Sequence, residues 1–161
     1  RDVYHNILLG LEIQNKIRPE TIELVKKLLI KYHLENTIHQ KPSALSGGMR
    51  QRIALIRTLA LQPDLLLLDE PFSALDYQTR LQVSKDVHDI IKSEQKTAIL
   101  VTHDISEAIA MADQVILLSK SPCSVKDVVP IEFEKNGIDH DKIRQSGLFQ
   151  QYFDRIWKEL V

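Results

Sequence analysis

The sequence has 161 residues, 43% of them hydrophobic and 27% charged, with a net charge of −1 at neutral pH. That length supports a packed core without disulfides or a structural metal, and the balanced charge leaves no overall basic footprint for nucleic acid. The single cysteine, Cys123, excludes an intrachain disulfide and fits a reducing compartment, and no apolar run is long enough to span a bilayer.

Residues 2 to 13 carry apolar side chains at helical spacing. So do residues 20 to 34, where Ile22, Val25, Leu28, Leu29 and Tyr32 form a stripe that Lys26, Lys27 and Lys31 avoid. Pro19 suits the first turn of that second helix. A third helix is expected from Ser46 to about Leu61, with Ser46 as N-cap and Pro63-Asp64 as its end. LLLLDEP then reads as a buried strand, residues 78 to 94 as a helix, TAILVTH as a strand, DISEAIAMA as a helix and QVILLS as a third strand. Wholly apolar strands alternating with helices predict an α/β fold, a parallel sheet covered on both faces, preceded by a helical layer. An extended segment, KDVVPIEFE, comes next. Phe149, Tyr152, Phe153, Ile156, Trp157 and Leu160 mark one face of a terminal amphipathic helix. Its polar face mixes acidic and basic residues, so docking on the protein is expected rather than on a membrane. The expected organisation is a helical subdomain over residues 1–62, an α/β core over 63–135 and a C-terminal helix over 136–161.

In an open α/β sheet, ligands sit outside the carboxyl ends of the strands. Asp69 and Glu70 end the first predicted strand and His103 ends the second. A carboxylate there can hold Mg²⁺, a second can act as general base on water, and a histidine can hydrogen-bond a phosphoryl group. Either element alone reads equally well as a strand cap or a packed histidine; together they point to a phosphate-and-metal site. Ser46, Gly47 and Gly48 open the third helix, where unsatisfied N–H groups and the positive end of the dipole favour an anion. Glycine weakens a helix, so a pair at its start is expected to leave room for a ligand to approach the backbone.

LSGGMRQR, LLLLDEP, SALD and VTHD, in this order and spacing, resemble the ATP-binding subunit of ABC transporters. LSGGM is similar to that family's signature motif, LLLLDE to Walker B, Ser73–Asp76 to the D-loop and His103 to the switch histidine. The resemblance implies a P-loop NTPase-like fold and a head-to-tail dimer with a second ATP-binding subunit, each ATP lying between the phosphate loop of one subunit and the signature motif of the other. It also implies that Ser46, Gly47, Gly48 and Gln51 bind the nucleotide, Asp69 serves Mg²⁺, Glu70 polarises the attacking water, His103 senses the γ-phosphate and Asp76 couples the two sites. Transmembrane permease subunits and, indirectly, a solute-binding protein are the further partners implied. Nucleic acid is not among them, and the implied location is peripheral, on the cytoplasmic side of the cell membrane.

DEPFSALD and EAIAMADQVILLS, with the proline loop after them, are similar to the nitrate, sulfonate and taurine importer group. A phosphate loop needs G-x-x-x-x-G-K-[ST], and Gly10, Gly47, Gly48, Gly137 and Gly147 make no such pattern. The expectation is therefore a C-terminal part of the subunit, inactive alone, whose phosphate loop and glutamine loop precede Arg1. Two alternatives stand beside this: a non-transport ABC ATPase of DNA repair or chromosome maintenance, and a truncated interaction module. The first predicts a long coiled coil before the signature motif, and no sustained heptads occur there. Arg50, Arg52 and Arg57 make the third helix basic, and His33, His39 and His140 show no metal-ligand spacing.

Overall fold

The computed structural model describes residues 1–133 and 140–160; the side chain of His140 and the opening residues of the expected C-terminal segment lie outside what it describes. The chain forms two compact units, Arg1–Ile99 and Leu100–Val161.

The first unit opens with α1 (Val3–Ile13), whose N-cap Asp2 accepts the His5 N–H at 2.9 Å. Its Val3, Ile7 and Leu11 are fully buried. α2 (Pro19–Lys31) has proline in its first turn, where the missing N–H costs nothing, and buries Val25, Leu28 and Leu29. Two short 3-10 turns, Glu35–Thr37 and Pro42–Ala44, lead to α3 (Gly47–Leu59). Then come β1 (Leu65–Asp69), α4 (Tyr77–Ser93) and β2 (Thr97–Val101), which begins in this unit. β1 and β2 form the parallel pair that the alternating strand and helix pattern predicts. The all-leucine run does not bury both its faces within this chain: Leu66 is 0% exposed and Leu67 72%.

α2 is tied to the far end of α4 by a polar cluster. Lys31 Nζ and Tyr32 Oη both donate to Glu94 Oε1, at 2.7 and 2.5 Å, and Tyr32 Oη lies 2.9 Å from Ser93 Oγ.

The second unit holds α5 (Ile105–Met111), β3 (Gln114–Leu118), β4 (Val125–Pro130), a 3-10 turn at His140–Gln145 and α6 (Gly147–Leu160). The third predicted strand does not extend the parallel pair: β3 runs antiparallel to β4, with Val115 opposite Val129. The link Ser119–Ser124 is a hairpin connection, far shorter than the dozen or more residues a parallel crossover needs. Ile109, Val115, Val129, Phe133, Phe149 and Ile156 share one core. α6 docks on its own unit: Arg155 pairs with Asp127 of β4 at 2.7 Å, and Tyr152 Oη accepts the Glu132 N–H at 3.1 Å. Not all of its apolar face is covered, since Trp157 is 54% exposed.

Candidate functional site

The first unit carries Ser46, Gly47, Gly48, Gln51, Asp69, Glu70 and Asp76, and the second carries His103. Ser46 is the N-cap of α3, as its position before the glycines predicts. Its Oγ accepts the Met49 N–H at 3.2 Å and its carbonyl accepts the Arg50 N–H at 3.0 Å. The N–H groups of Gly47 and Gly48 have no acceptor within the helix, because helix geometry provides none for its first residues. This end is therefore fitted to an anion.

The glycine pair also has a reason inside the chain that the sequence did not disclose. A methyl group at Gly47 would come within 2.7 Å of Leu75 Cδ2, and one at Gly48 within 2.7 Å of Val83 Cγ2. Val83 is buried and β-branched, so it yields little; the Leu75 side chain is half-buried and its end can turn. The bare backbone lets the start of α3 seat against the SALD turn and the second turn of α4.

Both turns are fastened by the same device. Arg50 Nη1 donates to the Leu45 carbonyl at 2.6 Å, and Arg80 Nη2 to the Leu75 carbonyl at 3.0 Å. In each case an arginine four residues past the N-cap reaches back to the residue before it. The pattern L-S-x-x-x-R at Leu45–Arg50 recurs as L-D-x-x-x-R at Leu75–Arg80. An arginine this near a helix N-terminus opposes the dipole, which is the signal that could have revealed the clamp.

Asp69 ends β1 with an exposed side chain, and Glu70 follows with φ of 44°. The other left-handed non-glycine residues among those described, Asn15, His33, Gln62 and Gln95, follow helix ends, where this conformation closes the last turn. Glu70 follows a strand, and a strained backbone of this kind is characteristic of functional positions. The Glu70 carbonyl accepts from Ser73 N–H at 3.3 Å and Ser73 Oγ at 3.0 Å, and fully buried Phe72 anchors the turn. Asp76 caps α4 by accepting the Thr79 N–H at 3.0 Å, and that bond holds its carboxyl below the usual carboxylate range. Gln51 is half-buried on α3. Among the described residues no group of three or more His, Cys, Asp or Glu is gathered to hold a metal ion by itself.

In the second unit the exposed His103 sits between Thr102 and Asp104. Asp104 is the N-cap of α5 and accepts from Ser106 and Glu107 N–H at 2.8 and 3.2 Å.

The ABC transporter family model matches residues 3–73. The chain is 46% identical over 160 residues to YtlC of Bacillus subtilis (strain 168), an ABC transporter ATP-binding protein, covering 99% of the chain and 62% of that relative. It is 37% identical over 144 residues to the taurine import ATP-binding protein TauB of Escherichia coli (strain K12), covering 89% of the chain and 56% of TauB. A solved ABC transporter in an inward-facing conformation, described as metal-chelate type, superposes with a TM-score of 0.68 at 25% identity, over 93% of this chain and 59% of that one. The chain thus spans roughly three fifths of the length of the proteins it matches. With the motifs in order and the fold in agreement, the chain carries a match to the ABC transporter family over residues 3–73 and is similar over nearly all of its length to ATP-binding proteins of that family.

Proposed function

We propose that this chain is part of the ATP-hydrolysing subunit of an ABC importer for a small solute such as nitrate, a sulfonate or taurine. The observation that carries the reading is the seating of the LSGG turn against the SALD turn, with Leu75 on Gly47 and Val83 on Gly48. The likeness to a taurine import protein supports the choice of import.

In this reading Ser46, Gly47, Gly48 and Gln51 receive the phosphates of a nucleotide held by a second ATP-binding subunit arranged head to tail. The acceptor-free amides at the start of α3 and the exposed Asp69 carboxylate, a hard oxygen donor, fit ATP and Mg²⁺. ATP with Mg²⁺ supplies the transferable phosphoryl group. Glu70 orients and deprotonates water, His103 hydrogen-bonds the γ-phosphate, and Asp76 couples the two sites through its place beside the seated turn. The sequence has no G-x-x-x-x-G-K-[ST], so the phosphate loop comes from outside these 161 residues and the purified chain alone does not turn over ATP. Permease subunits meet the helical layer, where Ile13, Ile17 and Ile30 are exposed. No helix among the described residues is long and apolar enough to cross a membrane, which suits a peripheral place on the cytoplasmic face.

The test is ATP turnover of the assembly that supplies a phosphate loop. Glu70→Gln should lower the rate by about 10²–10⁴-fold, as loss of a general base does. An unchanged rate, or measurable turnover by the isolated 161-residue chain, rejects the reading. Reversing the exposed charges of Lys26 and Lys27 should lower transport-coupled turnover and spare basal turnover; equal loss of both would remove the permease contact from α2.

A further inference from the structure

Glu107 is the buried carboxylate of the described core, 4% exposed on α5. A carboxylate in such a place is costly unless hydrogen bonds compensate it, and the functional roles above do not use it. Its Oε2 accepts from Thr102 Oγ1 at 2.8 Å. Thr102 Oγ1 in turn accepts the Asp104 N–H at 3.0 Å. The hydroxyl, with one proton to give and lone pairs to receive, is thus oriented from both sides. Thr102 and Asp104 flank His103 in the chain, and Asp104 is itself pinned as the cap of α5.

We infer that Glu107 is a positioning residue: through Thr102 it holds the backbone on either side of His103 and so fixes where that imidazole stands. The inference rests on the proposal that His103 meets the γ-phosphate. The histidine is exposed, and the turn that carries it sets where its backbone stands. A buried acceptor one helical turn into α5 supplies that reference from inside the unit. Thr102 is the relay, because only a side chain that both donates and accepts can join the carboxylate to the Asp104 amide.

The experiment compares Glu107→Ala, Thr102→Val and Thr102→Ser. Thr102→Val keeps the shape of the side chain and removes the hydroxyl, so it stands in if Glu107→Ala fails to fold. Amide hydrogen exchange on the chain is the first readout. Thr102→Val should speed exchange at His103 and Asp104 and leave β4 and α6 protected, while Thr102→Ser keeps the native pattern. Uniform loss of protection across the second unit, or no change at His103 and Asp104, overturns the inference. The second readout is ATP turnover of the assembly proposed above. Thr102→Val should lower kcat by up to about 10²-fold, the scale of a misplaced catalytic group, with KM for ATP unchanged and Thr102→Ser near the parent rate. A raised KM with kcat intact also overturns it. If the parent assembly shows no turnover, the ATPase reading fails, and the exchange pattern still decides whether Glu107 holds the turn.

Discussion

A methyl group is the smallest probe of why Gly48 is bare. Adding one places it 2.7 Å from Val83 Cγ2, inside a contact that a stiff, buried side chain cannot relieve. Gly48→Ala should therefore destabilise the chain by about 1–3 kcal/mol, the usual cost of overpacking. Val83→Ala in the same chain should remove most of that cost, so the pair is non-additive in urea unfolding. Additivity within about 0.5 kcal/mol would mean the two residues do not meet. Gly47→Ala should cost less, because the end of Leu75 can turn aside. If the glycines served a nucleotide alone, neither substitution would touch stability. At this scale the sequence made some residues plain and hid others. Ser46 was legible as a cap because caps are local. Leu75, Val83 and Glu107 were not, because each acts through a neighbour that a periodic apolar pattern does not point to.

Between elements, the join of α2 to α4 rests on charge. Burial works to raise the Glu94 carboxyl, but hydrogen bonds from the Lys31 ammonium and the Tyr32 hydroxyl outweigh it and hold Glu94 below the usual glutamate range. The same bond to Glu94 raises Lys31. Burial, followed by the bond to Glu94, raises Tyr32. A carboxyl whose folded value is depressed adds stability that is fully present above its unfolded value and is lost as pH falls through the folded one. Stability measured from neutral pH downward should thus fall on the acid side, and Glu94→Gln should flatten that fall while lowering stability at neutral pH. An acid limb unchanged by Glu94→Gln would remove the cluster from the account. The helices themselves were readable from their 3.6-residue apolar stripes, to which α1, α3, α4 and α5 add a capping side chain in Asp2, Ser46, Asp76 and Asp104. The pairing of β3 was not. Apolar runs carry no strand direction, and only the short Ser119–Ser124 link marks the hairpin.

For the molecule as a whole, the parallel pair decides how the chain behaves on its own. The run Leu65–Leu68 is apolar at every position, yet Leu65 and Leu67 are exposed, and Ile99 of the neighbouring strand β2 is half open. Strands written this way suit burial on both faces, and the chain spans only 62% of its relative YtlC. Exposed apolar surface of this kind is a site for association. The isolated chain should therefore bind a hydrophobic dye such as ANS while natively folded, and should self-associate as its concentration rises. Leu67→Thr keeps a β-branched strand former and removes most of the apolar surface at that point. It should lower dye binding and shift the chain toward monomer in sedimentation, with unfolding stability within about 0.5 kcal/mol of the parent, as expected for an exposed position. A large loss of stability would show that Leu67 is packed in solution, and unaltered dye binding would place the exposed surface elsewhere, with Trp157 of α6 the next residue to replace.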